Sequence, residues 1–103
     1  MSEFQLNEHG VPQYPKGHAG RLLVTLAAIA KLHHPTASSV AALTGLSKGN
    51  IDTYVNALNR ELGTVIGKVG AEYVIESWGE ILKPAGVKKC LTVLINRTTL
   101  DSD

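Results

Sequence analysis

The chain has 103 residues, 44% of them apolar and 18% charged, with a formal net charge of +1. That balance excludes a disordered chain, which combines low hydrophobicity with high net charge, and the length suits one domain burying roughly 60% of its unfolded surface. The single cysteine, Cys90, excludes an internal disulfide, a paired-cysteine zinc site and a CxxC redox centre, and points to a cytoplasmic setting.

The opening MSEFQLNEHG carries acidic residues and no apolar segment, so it does not read as a secretory signal. Residues 1–18 hold Gly10, Pro12, Pro15 and Gly17 without helical or strand periodicity, which predicts an extended arm whose Phe4, Leu6, Val11 and Tyr14 can dock. A first helix is expected from Ala19 to Leu32 on the spacing of Leu22, Leu23, Leu26, Ile29 and Ala30, stopped by Pro35. Its apolar stretch, Leu22 to Ala30, falls short of the ~20 residues that cross a bilayer, so no membrane contact is expected.

Thr36 can cap a second helix running to Leu43, which Gly45 ends by taking the left-handed conformation. Ser47 is placed to cap a third helix, Lys48 to Leu62, ended by Gly63. On a helical projection Ile51, Val55, Leu58 and Leu62 share one stripe, while Gly49, Thr53, Asn56 and Arg60 face the opposite way. From Thr64 the β-branched pattern predicts strands at 64–68 and 72–77 turning around Val69, Gly70 and Ala71. Pro84 suits the start of a last helix with an apolar stripe of Val87, Cys90, Leu91, Leu94 and Ile95 backed by Lys88, Lys89, Thr92 and Asn96; the tail RTTLDSD is expected to fray.

The expected class is therefore mainly α with a small β-hairpin, divided as an arm at 1–18, a domain at 19–83 and a C-terminal helix with its tail at 84–103. Two helices joined by a short glycine-containing turn describe a helix-turn-helix, whose second helix enters the DNA major groove. With the hairpin added, the chain resembles a winged helix-turn-helix, closest in pattern to the amino-terminal domain of IclR-type transcriptional regulators. The resemblance spans about Arg21 to Ser77 and rests on RLLVTLAAIAKLHHP, TASSVAALTGLSKGNIDTYVNAL and the returning strand YVIES. It implies a transcriptional regulator that binds double-stranded DNA, usually as a dimer; without room for the family's large effector domain after the hairpin, the expectation is a small repressor acting as a homodimer with no small-molecule effector evident.

On this reading Lys48, Gly49, Asn50, Thr53, Asn56 and Arg60 carry recognition, with Lys68 touching phosphate from the hairpin. Gly49 lets a phosphate approach the amides of the helix start. Asn50, Thr53 and Asn56 are types that read base edges, and Arg60 suits guanine or phosphate. Asp52 repels phosphate but can accept from cytosine. Residues 21–63 carry Arg21, Lys31, Lys48 and Arg60 against Asp52 and Glu61, net +2, whereas residues 64–82 carry Lys68 against Glu72, Glu76 and Glu80, net −2. So few cations per protomer call for a dimer reading two half-sites, built by the last helix or the arm. The last helix can equally pack on the first helix of its own chain.

The alternatives are a winged helix that binds protein rather than DNA, favoured by the low charge and acidic hairpin, and a DNA binder without sequence preference. Adjacent His33 and His34 cannot form an i, i+4 metal pair and read as helix-end residues facing terminal carbonyls, Cys90 as a buried small apolar residue, and Tyr73 and Trp78 as packing anchors. No phosphate loop, HExxH motif or nucleophile elbow is present, so neither enzyme, metal nor cofactor is expected.

Overall fold

The computed structural model describes residues 5–92; Phe4, Leu94, Ile95, Asn96 and the tail RTTLDSD lie outside them. Four helices and one antiparallel hairpin follow in the order α1 (Gly20–Lys31), α2 (Ala37–Thr44), α3 (Lys48–Glu61), β1 (Val65–Val69), β2 (Glu72–Ser77) and α4 (Pro84–Lys89). The class is mixed α/β, and α1 is its centre, touching α2, α3, α4 and β2.

Six consecutive residues of α1, Val24 to Ile29, are buried, so this helix is enclosed nearly all round rather than along one stripe. Leu22, Leu23 and Ala30 of the expected stripe are only half-buried, and the alanines at 27 and 28 let neighbouring elements approach closely. The one polar side chain in that run, Thr25, returns its hydroxyl to the carbonyl of Arg21 at 2.8 Å, so its burial leaves no polar group unpaired.

The α2 start follows its sequence signal. Thr36 Oγ1 accepts from the Ser39 amide at 3.1 Å while Ser39 Oγ accepts from the Thr36 amide at 2.8 Å, a reciprocal cap contributing about 1 kcal/mol. Gly45 ends the helix at φ +80°, and a Cβ there would also strike the Gln13 side chain at 2.5 Å. The α3 start departs from expectation. Ser47 stands at the cap position but its side chain makes no capping bond; the Asn50 amide donates to the Ser47 carbonyl at 2.9 Å instead.

Residues 5–18 do not stay extended. Leu6 bridges Pro12 across a turn in which Asn7 Oδ1 accepts from the amides of His9 and Val11, both at 2.9 Å. The returning limb then enters the core, with Val11 and Tyr14 buried. Asn7 Nδ2 donates to the Leu43 carbonyl at 2.9 Å and Gln13 Nε2 to the Thr44 carbonyl at 2.8 Å, so the segment satisfies the last carbonyls of α2, which have no partner within the helix. Arg21 completes the tie, donating to the Tyr14 carbonyl at 2.9 Å and to the Tyr54 hydroxyl at 2.8 Å.

The hairpin turns on Gly70 and Ala71 alone, with Val69 inside β1 and Gly70 at φ +65°. Its outer strand β2 also meets the α1–α2 connection: Thr36 bridges Glu72, and the Tyr73 amide donates to the Pro35 carbonyl at 2.7 Å. His34 joins the same contact through Glu72 at 3.1 Å, rather than facing helix-end carbonyls. At the far end α4 stops at Lys89, before Cys90 and Leu91 of the expected helical stripe; Val87 of the helix and Leu91 just beyond it are buried, and α4 packs on α1 of its own chain. Cys90 is half-buried, its thiol 3.6 Å from the Gly86 carbonyl, and burial pushes the thiol pKa up.

Candidate nucleic-acid interface

The α3 helix has a buried side of Ile51, Val55 and Leu58 and an exposed side of Lys48, Gly49, Asp52, Thr53, Asn56 and Arg60. Gly49, Thr53, Asn56 and Arg60 therefore share one exposed strip, and Asn50 stands half-buried beside it. A Cβ built on Gly49 would meet only the Ser47 hydroxyl oxygen, at 3.9 Å, and the glycine has no positive φ. Nothing inside the fold requires glycine there, although glycine in a helix costs about 0.5–1 kcal/mol against alanine.

The hairpin brings Lys68 to this helix. Lys68 Nζ lies 3.4 Å from Asp52 Oδ1 and 5.0 Å from the centre of the Tyr73 ring, while the Tyr73 hydroxyl donates to the same Asp52 oxygen. That hydrogen bond, reinforced by the Lys68 charge, holds the Asp52 carboxyl below its ordinary pKa against a smaller opposing effect of desolvation. Burial, followed by the neighbouring carboxylate, pushes the Tyr73 hydroxyl up. Tyr73 is thus a packing anchor, as expected, with a polar tip that orients an acid on the exposed side of α3.

Two open clefts flank Asp52. One, of about 440 Å³, lies between the start of α2, Lys48 and Gly49 of α3, and Lys68; the other, of about 210 Å³, lies between Asn56 and the inner face of the hairpin. Arg60 stands a turn away with its guanidinium 3.2 Å from Glu61. Of the three expected cations, Lys68 and Arg60 face carboxylates within the chain, and Arg21, counted among the positive charges of the helical region, is tied to the Tyr14 carbonyl and the Tyr54 hydroxyl.

Asn59, which is not among the expected site residues, has a side chain that fixes the hairpin to α3. Its Oδ1 accepts from the Thr64 hydroxyl at 2.8 Å and the Ile66 amide at 3.0 Å, and its Nδ2 donates to the Ile66 carbonyl at 3.1 Å. It thereby closes the edge of β1 not paired with β2, and the only local signal was a polar residue flanking the buried stripe. Among the described residues no three His, Cys, Asp or Glu side chains gather as a metal site, and no helix is long and apolar enough to cross a membrane. Compared with known proteins, the chain matches no family model, no curated relative and no solved structure.

Proposed function

We propose that the chain is a small winged helix-turn-helix protein that binds double-stranded DNA with sequence preference, as a homodimer, and regulates transcription by occupying an operator. The observation that carries this reading is the exposed strip of α3, which opens on a glycine the fold does not require and continues through Thr53 and Asn56 to Arg60. Side chains of this kind suit base edges, and an uncovered helix start suits a phosphate. The Asn7 and Gln13 bonds hold the end of α2 to the 5–18 segment, Arg21 ties that segment to Tyr54 of α3, Asn59 fixes the hairpin to α3, and the Pro35 carbonyl fixes β2 to the α1–α2 connection. A rigid frame thus presents the strip.

With two of the expected cations facing carboxylates, one protomer has little attraction for phosphate, and a dimer doubles the contacts. The test is fluorescence anisotropy on genomic fragments in low salt, comparing the wild type with Thr53→Ala and Asn56→Ala. A site preference lost in both variants supports the assignment, and a preference undiminished in both overturns it.

A second reading, a protein-binding winged helix, is favoured by the hairpin's exposed apolar residues. In the hairpin Val69 is 72% exposed and Val65 48%, just past it Ile81 is 66% exposed, and the same stretch of sequence carries Glu72, Glu76 and Glu80. Stoichiometric capture of one protein from nuclease-treated extract, abolished by Val69→Ser, with no duplex bound at low salt, would select it.

A further inference from the structure

Asp52 is the acidic residue in the proposed DNA face, three residues after Gly49 and four before Asn56, and it lines both clefts beside α3. It is held from two sides. Tyr73, 4% exposed and tied through its amide to the Pro35 carbonyl, donates its hydroxyl to the carboxylate, and Lys68 stands 3.4 Å away over the Tyr73 ring. The carboxylate is therefore fixed by an anchored group, and the lysine is drawn to it across the space between helix and hairpin. Both side chains remain within reach of a partner, Asp52 at 62% and Lys68 at 43% exposure.

We propose that Asp52 is a positioning residue that keeps Lys68 from the DNA backbone and thereby restrains binding that ignores sequence. The proposal rests on the DNA-binding reading above. A phosphate entering this cleft meets a neutralised pair instead of a free ammonium group, so one fewer counterion per protomer is released on binding and the sequence-independent part of the affinity falls. Contacts from Thr53 and Asn56 to bases are unaffected by that subtraction, so they make up a larger share of what remains.

Asp52→Asn is nearly isosteric and keeps an oxygen for the Tyr73 hydroxyl while removing the charge that holds Lys68. Binding of a random-sequence duplex and of a preferred genomic fragment is measured by anisotropy across a salt series, for the wild type, Asp52→Asn, Lys68→Gln and the double variant. In Asp52→Asn the slope of log affinity against log salt steepens by about 0.9 per protomer, about 1.8 for the proposed homodimer, so the variant loses about 12-fold more affinity than the wild type between about 50 and 200 mM salt. Its low-salt affinity for the random duplex rises, its discrimination narrows, and the double variant returns to the wild-type slope because the released cation is gone.

Parallel slopes for the wild type and Asp52→Asn overturn the assignment, since a merely structural Asp52 changes thermal stability and leaves counterion release alone. Asp52→Ser gives the same readout if the asparagine variant does not fold. A wild-type protein that binds no duplex at low salt overturns the DNA reading and this inference together, whereas parallel slopes with intact site preference overturn only the inference.

Discussion

Gly49→Ala separates what the fold needs from what a partner needs. The added Cβ meets nothing closer than the Ser47 hydroxyl oxygen at 3.9 Å, and the backbone there is helical without a positive φ, so the folded state accepts it without strain. Alanine loses less conformational entropy than glycine on entering a helix, so the variant gains about 0.5–1 kcal/mol of stability, or about 2–8 °C in Tm for a domain of this size. DNA binding moves the opposite way. If a phosphate rests on the amides at the start of α3, the methyl group holds it off, and loss of one hydrogen bond to a charged group lowers affinity by about 10-fold or more. Thermal unfolding and anisotropy titration on one preparation give both numbers. Unchanged DNA affinity in a stabilised variant would refute the claim that this glycine serves an interface, and a destabilised variant would refute the open geometry around it.

Asn59→Ala removes three hydrogen bonds at once, including the partner of the Thr64 hydroxyl, which is 2% exposed. At about 1 kcal/mol each, reduced where water can reach the Ile66 groups, the loss is about 2–3 kcal/mol in urea unfolding, with faster hydrogen exchange in the hairpin. Gly79→Ala places a Cβ 2.4 Å from the Gly63 carbonyl oxygen at φ +75°, so backbone must move and about 2 kcal/mol or more is lost, measurable by the same denaturant titration. Asp52 has a lowered pKa in the folded chain, so its contribution to stability is present above its unfolded value of 3.8 and declines as pH falls through the lower folded value. Tyr73 has a raised pKa, so its contribution is present below its unfolded value of 10.0 and is lost as pH rises further. Accordingly Asp52→Asn flattens the acid limb of a stability-versus-pH curve and Tyr73→Phe the alkaline limb, while an unchanged limb in either variant counts against the pairing.

What could be read from the chain was local. The start of α2 depends on Thr36 and Ser39, three residues apart, and its end on Gly45, so sequence neighbours contain the whole signal. The buried stripe of α3 follows from helical spacing in the same way. What could not be read involves partners far apart in sequence: Asn7 with Leu43, Gln13 with Thr44, and Asp52 with Tyr73. An asparagine at position 7 has the composition of a loop until the end of α2 is placed beside it. Ser47 shows the converse, since a residue type suited to capping stands at the cap position without making the bond. The candidate site divides along the same line: exposure of Thr53, Asn56 and Arg60 follows from period, whereas the pairing of Lys68 required the register of β1 on β2, which sets Lys68 opposite Tyr73 and beside Asp52.

That register changes how the low net charge bears on function. Weak phosphate attraction counts against DNA binding if affinity is the quantity of interest, and the pairing of Lys68 with Asp52 and Arg60 with Glu61 lowers it further. Discrimination is a difference between affinities, and phosphate contacts add nearly equally to right and wrong sites. A face whose cations are paired within the chain, and whose exposed strip carries threonine and asparagine, lowers the common part and keeps the part that differs. On this account Lys48, which among the described residues lacks an ion-pair partner, supplies encounter at the start of α3. In the proposed homodimer, total affinity would be restored by repeating the sequence-dependent contacts instead of adding charge.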